Sequence, residues 1–270
     1  MRRTKGIILT AAIFLVIVGG FGYAYRSVIR QALTPKEILP VAVPLSDIVP
    51  VAPTPTTTPA VTPTPTTTKP TPKPTPTPTP TPVVKDQINL AVPFASQAPF
   101  GDWAMPYGEA CEEASLIMTV HYLQGATLSK QQMKDAIDDM VAWQIEAWGS
   151  HKDITMKEEV ELAKHFYPKY SYQLISNLTA DKIREQLVLG RPVIVPAAGR
   201  ELHNPNFKQP GPIYHMLVIK GFTKDGKFIT NDPGTRNGAD YVYTEAVLLN
   251  AIHDWTGSAA DGDRVGLVVY

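Results

Sequence analysis

Residues 213–233 read IYHMLVIKGFTKDGKFITNDP, two apolar runs separated by a polar turn. They predict a β-hairpin with strands over Tyr214–Phe222 and Lys227–Asn231, because the Asp225-Gly226 pair between them is a preferred two-residue turn. His215 interrupts the first strand, where a polar side chain is costly to bury without a partner. The hairpin therefore predicts a polar partner for this histidine.

The turn sets the register of the hairpin. A two-residue turn at Asp225-Gly226 places Ile219 opposite Asp232, and alternation then puts His215 and Asp232 on one face and Asn231 on the other. A four-residue loop gives the same faces, whereas a three-residue loop or a bulge exchanges Asn231 for Asp232. The register favours Asp232 as the partner and leaves Asn231 as the alternative.

Helix signals dominate the chain before this hairpin, and strand signals dominate after it. Helix starts are predicted at Cys111, at the capping boxes Ser129/Gln132 and Thr155/Glu158, and at Thr179. Further strands are predicted over 192–196, 241–243 and 265–270, and a further helix over 245–255. Because the two kinds of element are segregated, the predicted fold class is α+β, with N-terminal helices packed on a C-terminal antiparallel sheet.

Three regions of different composition divide the chain. Residues 1–30 hold an uncharged apolar run over 6–25, which as a helix spans about 30 Å and predicts a single-pass membrane anchor. A cleaved signal peptide, and hence a secreted protein, is the alternative. Residues 31–83 include a Thr/Pro-rich stretch that predicts a disordered polyproline stalk. Residues 84–270 are predicted to form one monomeric domain on the extracytoplasmic side of the cell membrane.

Charge and cysteine content exclude several classes of protein. The formal net charge is 0 and the sequence pI is about 7.0, so no basic field suggests a nucleic-acid partner. Cys111 is the single cysteine of the sequence, which excludes an intramolecular disulfide and a cysteine-cluster metal site. The sequence predicts no cofactor and no metal.

Cys111 is the candidate nucleophile. It opens a predicted amphipathic helix, whose N-terminal amides and dipole favour an anion and so lower the pKa of a thiol. The alternative is a buried, inert cysteine.

A thiol nucleophile needs a base, and His121 lies about 15 Å away along the same helix. The other histidines except His215 lie in polar surroundings and are expected at the surface: His151, His165, His203 and His253. His215 is the candidate base, with a satisfied core histidine as its alternative.

These residues fall into an ordered set. The set comprises Val92-Pro93-Phe94 with Gln97, then Ala110-Cys111-Glu112-Glu113-Ala114-Ser115, then Tyr214-His215-Met216, and then Asn231-Asp232-Pro233-Gly234. It resembles cysteine peptidase family thirty-nine, the family of bacteriocin-processing domains, over roughly residues 88–255. The resemblance implies a papain-like fold with Cys111 as nucleophile, His215 as base, Asp232 as orienting acid and Gln97 in the oxyanion hole.

Two departures limit what the resemblance implies. Family members commonly have Gly and Pro after the nucleophile, where this chain has Glu112 and Glu113, and the spacing from Gln97 to Cys111 is longer than in transporter-linked members. The specificity for leader peptides is therefore not carried over. The two acidic residues could also raise the pKa of the thiol.

The sequence predicts a membrane-tethered cysteine peptidase that hydrolyses a peptide or amide bond through a thioester acyl-enzyme. Its expected partners are a peptide or protein substrate, with cell-wall peptide as one variant, and the membrane. Two alternatives stay open at this point. One is a transglutaminase-like acyltransferase, which uses Cys, His and Asp in the same chain order, and the other is a catalytically silent binding module on a stalk.

Overall fold

The computed structural model describes residues 37–48 and 86–270. Within these ranges the chain forms five α-helices and seven β-strands. The helices are α1 (Cys111–Leu123), α2 (Lys130–Trp148), α3 (Met156–Phe166), α4 (Ala180–Val188) and α5 (Glu245–Ala251). The strands are β1 (Ile88–Asn89), β2 (Tyr172–Ser176), β3 (Val193–Ala198), β4 (Tyr214–Phe222), β5 (Phe228–Asn231), β6 (Tyr241–Tyr243) and β7 (Val265–Val269). The α+β class is confirmed.

The strands form one antiparallel sheet in the order β2-β7-β3-β4-β5-β6, and β1 pairs with the end of β4. All nine residues of β4 are buried, as expected of a strand in the centre of a sheet. Helix α1 packs against β3 and β4, and α2 packs against α1. The start of α1 and the start of β4 are thereby brought together.

The helix caps follow the sequence closely. Ser129 and Thr155 each accept a hydrogen bond from the backbone amide three residues on, and both capping boxes are complete. Thr179 caps α4 through the amide of Lys182. Each of these three predicted helix starts is confirmed.

The hairpin forms where it was predicted, but its register is different. Phe222 pairs with Phe228, and beyond a bulge between Ile219 and Gly221 the pairing becomes Ile219 with Thr230. The predicted pairing of Ile219 with Asp232 is therefore wrong. The longer turn and the bulge each shift the register by one residue, and the two shifts together return Asp232 to the face of His215.

Helix α1 is not amphipathic, contrary to the prediction. Every residue from Cys111 to Val120 is buried, including Glu112, Glu113, Ser115 and Thr119. A helix enclosed on all sides has no solvent face on which to place its polar residues. The polar groups at its start are consequently forced into the interior beside the nucleophile candidate.

Residues 37–48, which the sequence assigned to the linker, pack on the folded domain. Val43 exchanges backbone hydrogen bonds with the segment at Asn89–Ala91, the side chain of Asn89 donates to the carbonyl of Pro40, and Glu37 pairs with Lys227. Ile48 is 9% exposed and lies against Gly190. Residues 37–48, which precede the predicted domain boundary at residue 84, thus contact the folded domain.

The predicted anchor over residues 1–30 and the Thr/Pro-rich stretch lie outside the described residues. Among residues 37–48 and 86–270, no helix is long and apolar enough to cross a membrane.

Candidate active site

Cys111 is the first residue of α1 and is 4% exposed. The backbone of Met216, the residue next to His215 on β4, lies beside its sulfur and partly opposes the rise in the pKa of the thiol. The start of the helix and the strand that carries the histidine are therefore in direct contact. The thiol and His215 both line one cleft of about 230 Å³, together with Gln97 and Gly234.

His215 is paired with Asp232. Its Nε2 donates to Oδ1 of Asp232 at 2.8 Å, and the two side chains are 2% and 0% exposed. Because Nε2 is engaged by the carboxylate, Nδ1 is the ring nitrogen left to exchange a proton with another group. Asp232 rather than Asn231 is hydrogen-bonded to the imidazole, as the sequence favoured.

Asp232 is held by more donors than the histidine alone. Oδ2 accepts hydrogen bonds from Tyr243 Oη at 2.7 Å and Asn204 Nδ2 at 3.1 Å, and Oδ1 also accepts from the amide of Gly234. Burial alone would raise the pKa of this carboxyl, but the charge of His215 and these hydrogen bonds hold the pKa below its usual value. Asp232 therefore stays ionised and fixes the orientation of the ring.

The side chain of Asn231 has a different task. Its Nδ2 donates to the carbonyls of Val92 and Pro93, and its Oδ1 accepts from the amide of Asp240. These bonds attach the segment before Gln97 to the end of β5. Asn231 is a structural residue and does not contact the imidazole.

Space around the imidazole is limited by Gly234 and Phe207. A Cβ at Gly234 would lie 2.7 Å from Cε1 of His215, so a larger residue there would displace the ring. Phe207 meets the imidazole edge-on, with centroids 5.2 Å apart. These contacts and the Asp232 bond leave His215 little freedom to rotate.

The Cys111 thiol has an acidic neighbour. Its S–H donates to Oε2 of Glu112 at 3.0 Å, and the other carboxylate oxygen of Glu112 accepts from the amide of Ile154. Burial raises the pKa of the Cys111 thiol well above its usual value, and the charge and hydrogen bond of Glu112 raise it further. The prediction that the helix start lowers this pKa is wrong in direction, because burial and the neighbouring Glu112 outweigh the helix N-terminus.

Glu112 belongs to a buried group of acids. Glu113 accepts from Gln144 and lies 3.2 Å from Nε2 of His151, and Glu159 is fully buried. Burial, followed by the charge of Glu113, raises the pKa of Glu112 well above its usual value. Burial and the charges of Glu113 and Glu112 do the same to the pKa of Glu159. Among the residues that the structure describes, no group of three such side chains is arranged to hold a metal ion.

His151 was expected at the surface, but its side chain is 4% exposed. Burial by itself lowers the pKa of His151, but the nearby carboxylate of Glu113 and the charges of Glu109 and Asp153 raise it overall. The polar residues around His151 in the sequence gave no indication that its side chain is buried. A charged residue close to Glu113 in space offsets part of the cost of burying that acid.

Gln97 lies in the cleft of Cys111, but its side-chain amide is hydrogen-bonded to the backbone of another segment. It lines the cleft beside Cys111, and its Nε2 donates to the carbonyls of Tyr107 and Gly108, both at 3.0 Å. Both amide protons are therefore used, and Oε1 is buried with no partner among the described residues. The role of Gln97 as an oxyanion donor stays a prediction, and it requires one of these two bonds to open.

Sequence reasoning missed Asn204, Tyr243, Glu159 and His151. Glu159 could have been found, because it lies three residues after Met156 and three before Leu162 on the apolar face of α3. Asn204 and Tyr243 reach Asp232 from a loop and from β6, and no spacing in the sequence indicates their approach.

Comparison with known proteins gives one family. The model of the Peptidase C39-like family matches residues 89–258, a range that contains the cleft residues Cys111, His215 and Gln97 and also Asp232. No curated protein is significantly similar to the chain.

Two solved structures are similar in part. A C39-like chain from Bacillus anthracis is 16% identical, and the match covers 69% of this chain and 98% of that one with a TM-score of 0.44. A fragment of prointerpain A from Prevotella intermedia is 15% identical, and the match covers 44% of this chain and 33% of the fragment with a TM-score of 0.27.

The Cys111–Glu112 contact predicts how the thiol responds to pH. Glu112→Gln keeps the size of the side chain and removes the ionisable carboxyl that raises the pKa of the thiol, so the pKa of Cys111 should fall. We expect the midpoint of Cys111 alkylation by iodoacetamide to move to lower pH in the variant, measured by mass spectrometry across a pH series.

Glu109→Gln is the matched control. Glu109 lines the same cleft but is exposed and makes no hydrogen bond to the thiol. Its alkylation profile should stay close to that of the wild type. A Glu112→Gln midpoint that is unchanged or moves to higher pH would show that Glu112 does not control the thiol.

Proposed function

The chain belongs to the Peptidase C39-like family and carries a C39-like cysteine peptidase domain, and we propose that this domain hydrolyses a peptide or amide bond while tethered to the outer side of a cell membrane. In the proposal, Cys111 is the nucleophile, His215 the general base and Asp232 the residue that orients the base.

One observation carries the proposal. The buried His215–Asp232 pair faces a cleft that the Cys111 thiol also lines, which supports the assignment of these three residues as base, orienting acid and nucleophile. The bond of Nε2 to Asp232 leaves Nδ1 for the thiol. A histidine buried only for packing would not need an ionised carboxylate held by two further side chains.

The first half of the reaction forms a thioester. Nδ1 of His215 takes the proton from Sγ of Cys111, and the sulfur attacks the carbonyl carbon of the substrate. The imidazolium is stabilised by Asp232 and then gives its proton to the leaving nitrogen as the carbon–nitrogen bond breaks. The second half is the reverse proton movement, in which His215 takes a proton from water, the hydroxyl attacks the thioester, and Cys111 leaves with a proton.

The resting hydrogen bond from the thiol to Glu112 must break before this attack. That bond is also the observation that favours the second candidate, a binding module that has kept the site but not the activity. An acid that keeps the thiol protonated opposes thiolate formation. The intact His215–Asp232 pair supports the peptidase over this alternative.

The tether is proposed from the sequence. Residues 6–25 contain no charged side chain, and the Thr/Pro-rich stretch over 53–82 would reach roughly 90 Å at about 3.1 Å per residue if extended. Such a length would hold the domain well clear of the membrane surface.

Cleavage of peptides by the full-length chain tests the function. A mixture of peptides blocked at both ends is incubated with the protein, and new termini are identified by mass spectrometry. Cys111→Ala should lower the rate by about a thousandfold or more, because the nucleophile is lost. Ser115→Ala, a small change at a buried position of the same helix, should keep most of the activity.

If the Cys111→Ala chain is as stable to urea as the wild type and cleaves at a similar rate, the proposed mechanism is wrong. If the wild-type chain cleaves no peptide although Cys111 reacts with iodoacetamide, the silent binding module is supported instead.

Substitutions of Asp232 and of its neighbour Asn231 should affect different quantities, the reaction rate and the stability of the fold. Asp232→Asn removes the charge that stabilises the imidazolium, so we expect the rate to fall about a hundredfold or more and the active pH range to narrow. Asn231→Ala leaves the carbonyls of Val92 and Pro93 unpaired, so it should instead lower the free energy of unfolding by about 1–3 kcal/mol.

Rates, pH profiles and urea unfolding of the two single variants make the comparison. A larger loss of rate in Asn231→Ala than in Asp232→Asn, measured on equally folded protein, would contradict the assignment of Asp232 as the orienting residue.

A further inference from the structure

A second cleft lies beside the one that holds Cys111. Its volume is about 370 Å³, and Trp103 lines both clefts. A volume in this range is typical of sites that accommodate small ligands or substrate side chains. The second cleft is lined by Phe94, Ala95, Ser96, Ala98, Pro99, Phe100, Gly101, Trp103, Leu128, Lys130 and Arg236.

The position of the second cleft is fixed relative to the candidate catalytic residues. The amide of Gln97 and the hydroxyl of Ser96 both donate to the carbonyl of Pro233, the residue after Asp232. Arg236 follows on the same loop. The wall that carries Phe94 and Ser96, and the loop that carries Arg236, are therefore attached to the two candidate site residues Gln97 and Asp232.

The charge in this cleft has one sign. Lys130 and Arg236 are its only charged lining residues, and both are exposed. Neither forms an ion pair with another residue of the described chain. The lining therefore carries two unpaired positive charges and no carboxylate, which favours an anionic group over a cationic one.

The apolar part of the lining is also exposed. Phe100 is 61% exposed and Trp103 is 41% exposed, and exposed aromatic side chains that line one cleft are typical of surfaces that bind a partner. The cleft therefore combines an aromatic wall with two cations.

The undescribed parts of the chain do not supply a matching group. Residues 1–36 and 49–85 contain no aspartate or glutamate, and their charged residues are all lysine or arginine. An anionic side chain for this cleft does not come from residues 1–36 or 49–85.

We propose that this second cleft is a substrate subsite that selects peptides with an acidic side chain next to a bulky apolar residue, close to the bond that is cleaved. The inference rests on the proposed peptidase function, since it assigns the neighbouring cleft to the same substrate. The acidic side chain pairs with Lys130 and Arg236, and the apolar residue packs on Phe100 and Trp103.

A binding experiment tests the subsite without requiring turnover. The full-length Cys111→Ala chain is titrated with fluorescent peptides that are blocked at both ends and differ only in Glu or Gln beside a Phe. Two exposed ion pairs are expected to make the Glu peptide bind about fivefold tighter at low salt, and the difference should shrink at high salt.

Charge reversal gives the sharper outcome. In a chain that also carries Lys130→Glu and Arg236→Glu, the preference should disappear or reverse in favour of a Lys peptide. Lys157→Glu with Lys224→Glu is the matched control, because it makes the same change in net charge at exposed positions outside both clefts.

The library of cleaved peptides provides the second readout. In wild-type digests, Asp or Glu should be enriched at one fixed position near the cleaved bond. Equal binding of the Glu and Gln peptides, or a preference that survives reversal of both cations, overturns the subsite. If the wild-type chain cleaves no peptide but the Glu peptide still binds more tightly than the Gln peptide, the peptidase function is rejected and the acidic-peptide site is supported.

Discussion

The pairing of β4 with β5 is the constraint on which the candidate site depends. His215 and Asp232 are 17 residues apart, and they meet because the bulge beside Lys220 compensates for the length of the turn. Without the bulge, alternation would turn Asn231 toward the imidazole and Asp232 toward the side now occupied by Val92 and Pro93. Lys220 is 3% exposed at the bulge. Its Nζ donates a hydrogen bond to Asp240, which offsets part of the cost of burying the lysine.

This register shows how far the sequence could predict the site. The Asp225-Gly226 turn indicated the hairpin. His215 was identified as a candidate because it is a polar residue within an apolar strand. The structure pairs Asp232 with His215, as the sequence favoured, but the prediction assumed a regular ladder, and two irregularities that cancel cannot be deduced from residue alternation. The catalytic role of Asp232 stays a prediction. The capping boxes at Ser129 and Thr155 were predicted correctly because a cap depends on residues three positions apart.

The errors have a common physical origin. The sequence was interpreted to make α1 an amphipathic helix whose N-terminus favours a thiolate, with Glu112 and Glu113 as groups that could instead raise the pKa of the thiol. The sheet and α2 instead enclose the helix, so Glu112 is desolvated and lies against the thiol. The candidate site therefore holds acids in two different conditions. Asp232 has four donors and stays ionised, whereas burial and neighbouring charges shift Glu112 toward its protonated form.

The central claim is that Cys111 carries the acyl group during hydrolysis. The most direct measurement is acid quenching of the full-length chain during peptide cleavage, followed by mass spectrometry of the proteolytic fragment that contains Cys111. The account predicts an acyl adduct on this sulfur that neutral hydroxylamine removes. Continued cleavage by a chain whose Cys111 is fully alkylated, with no adduct on the sulfur, would contradict it.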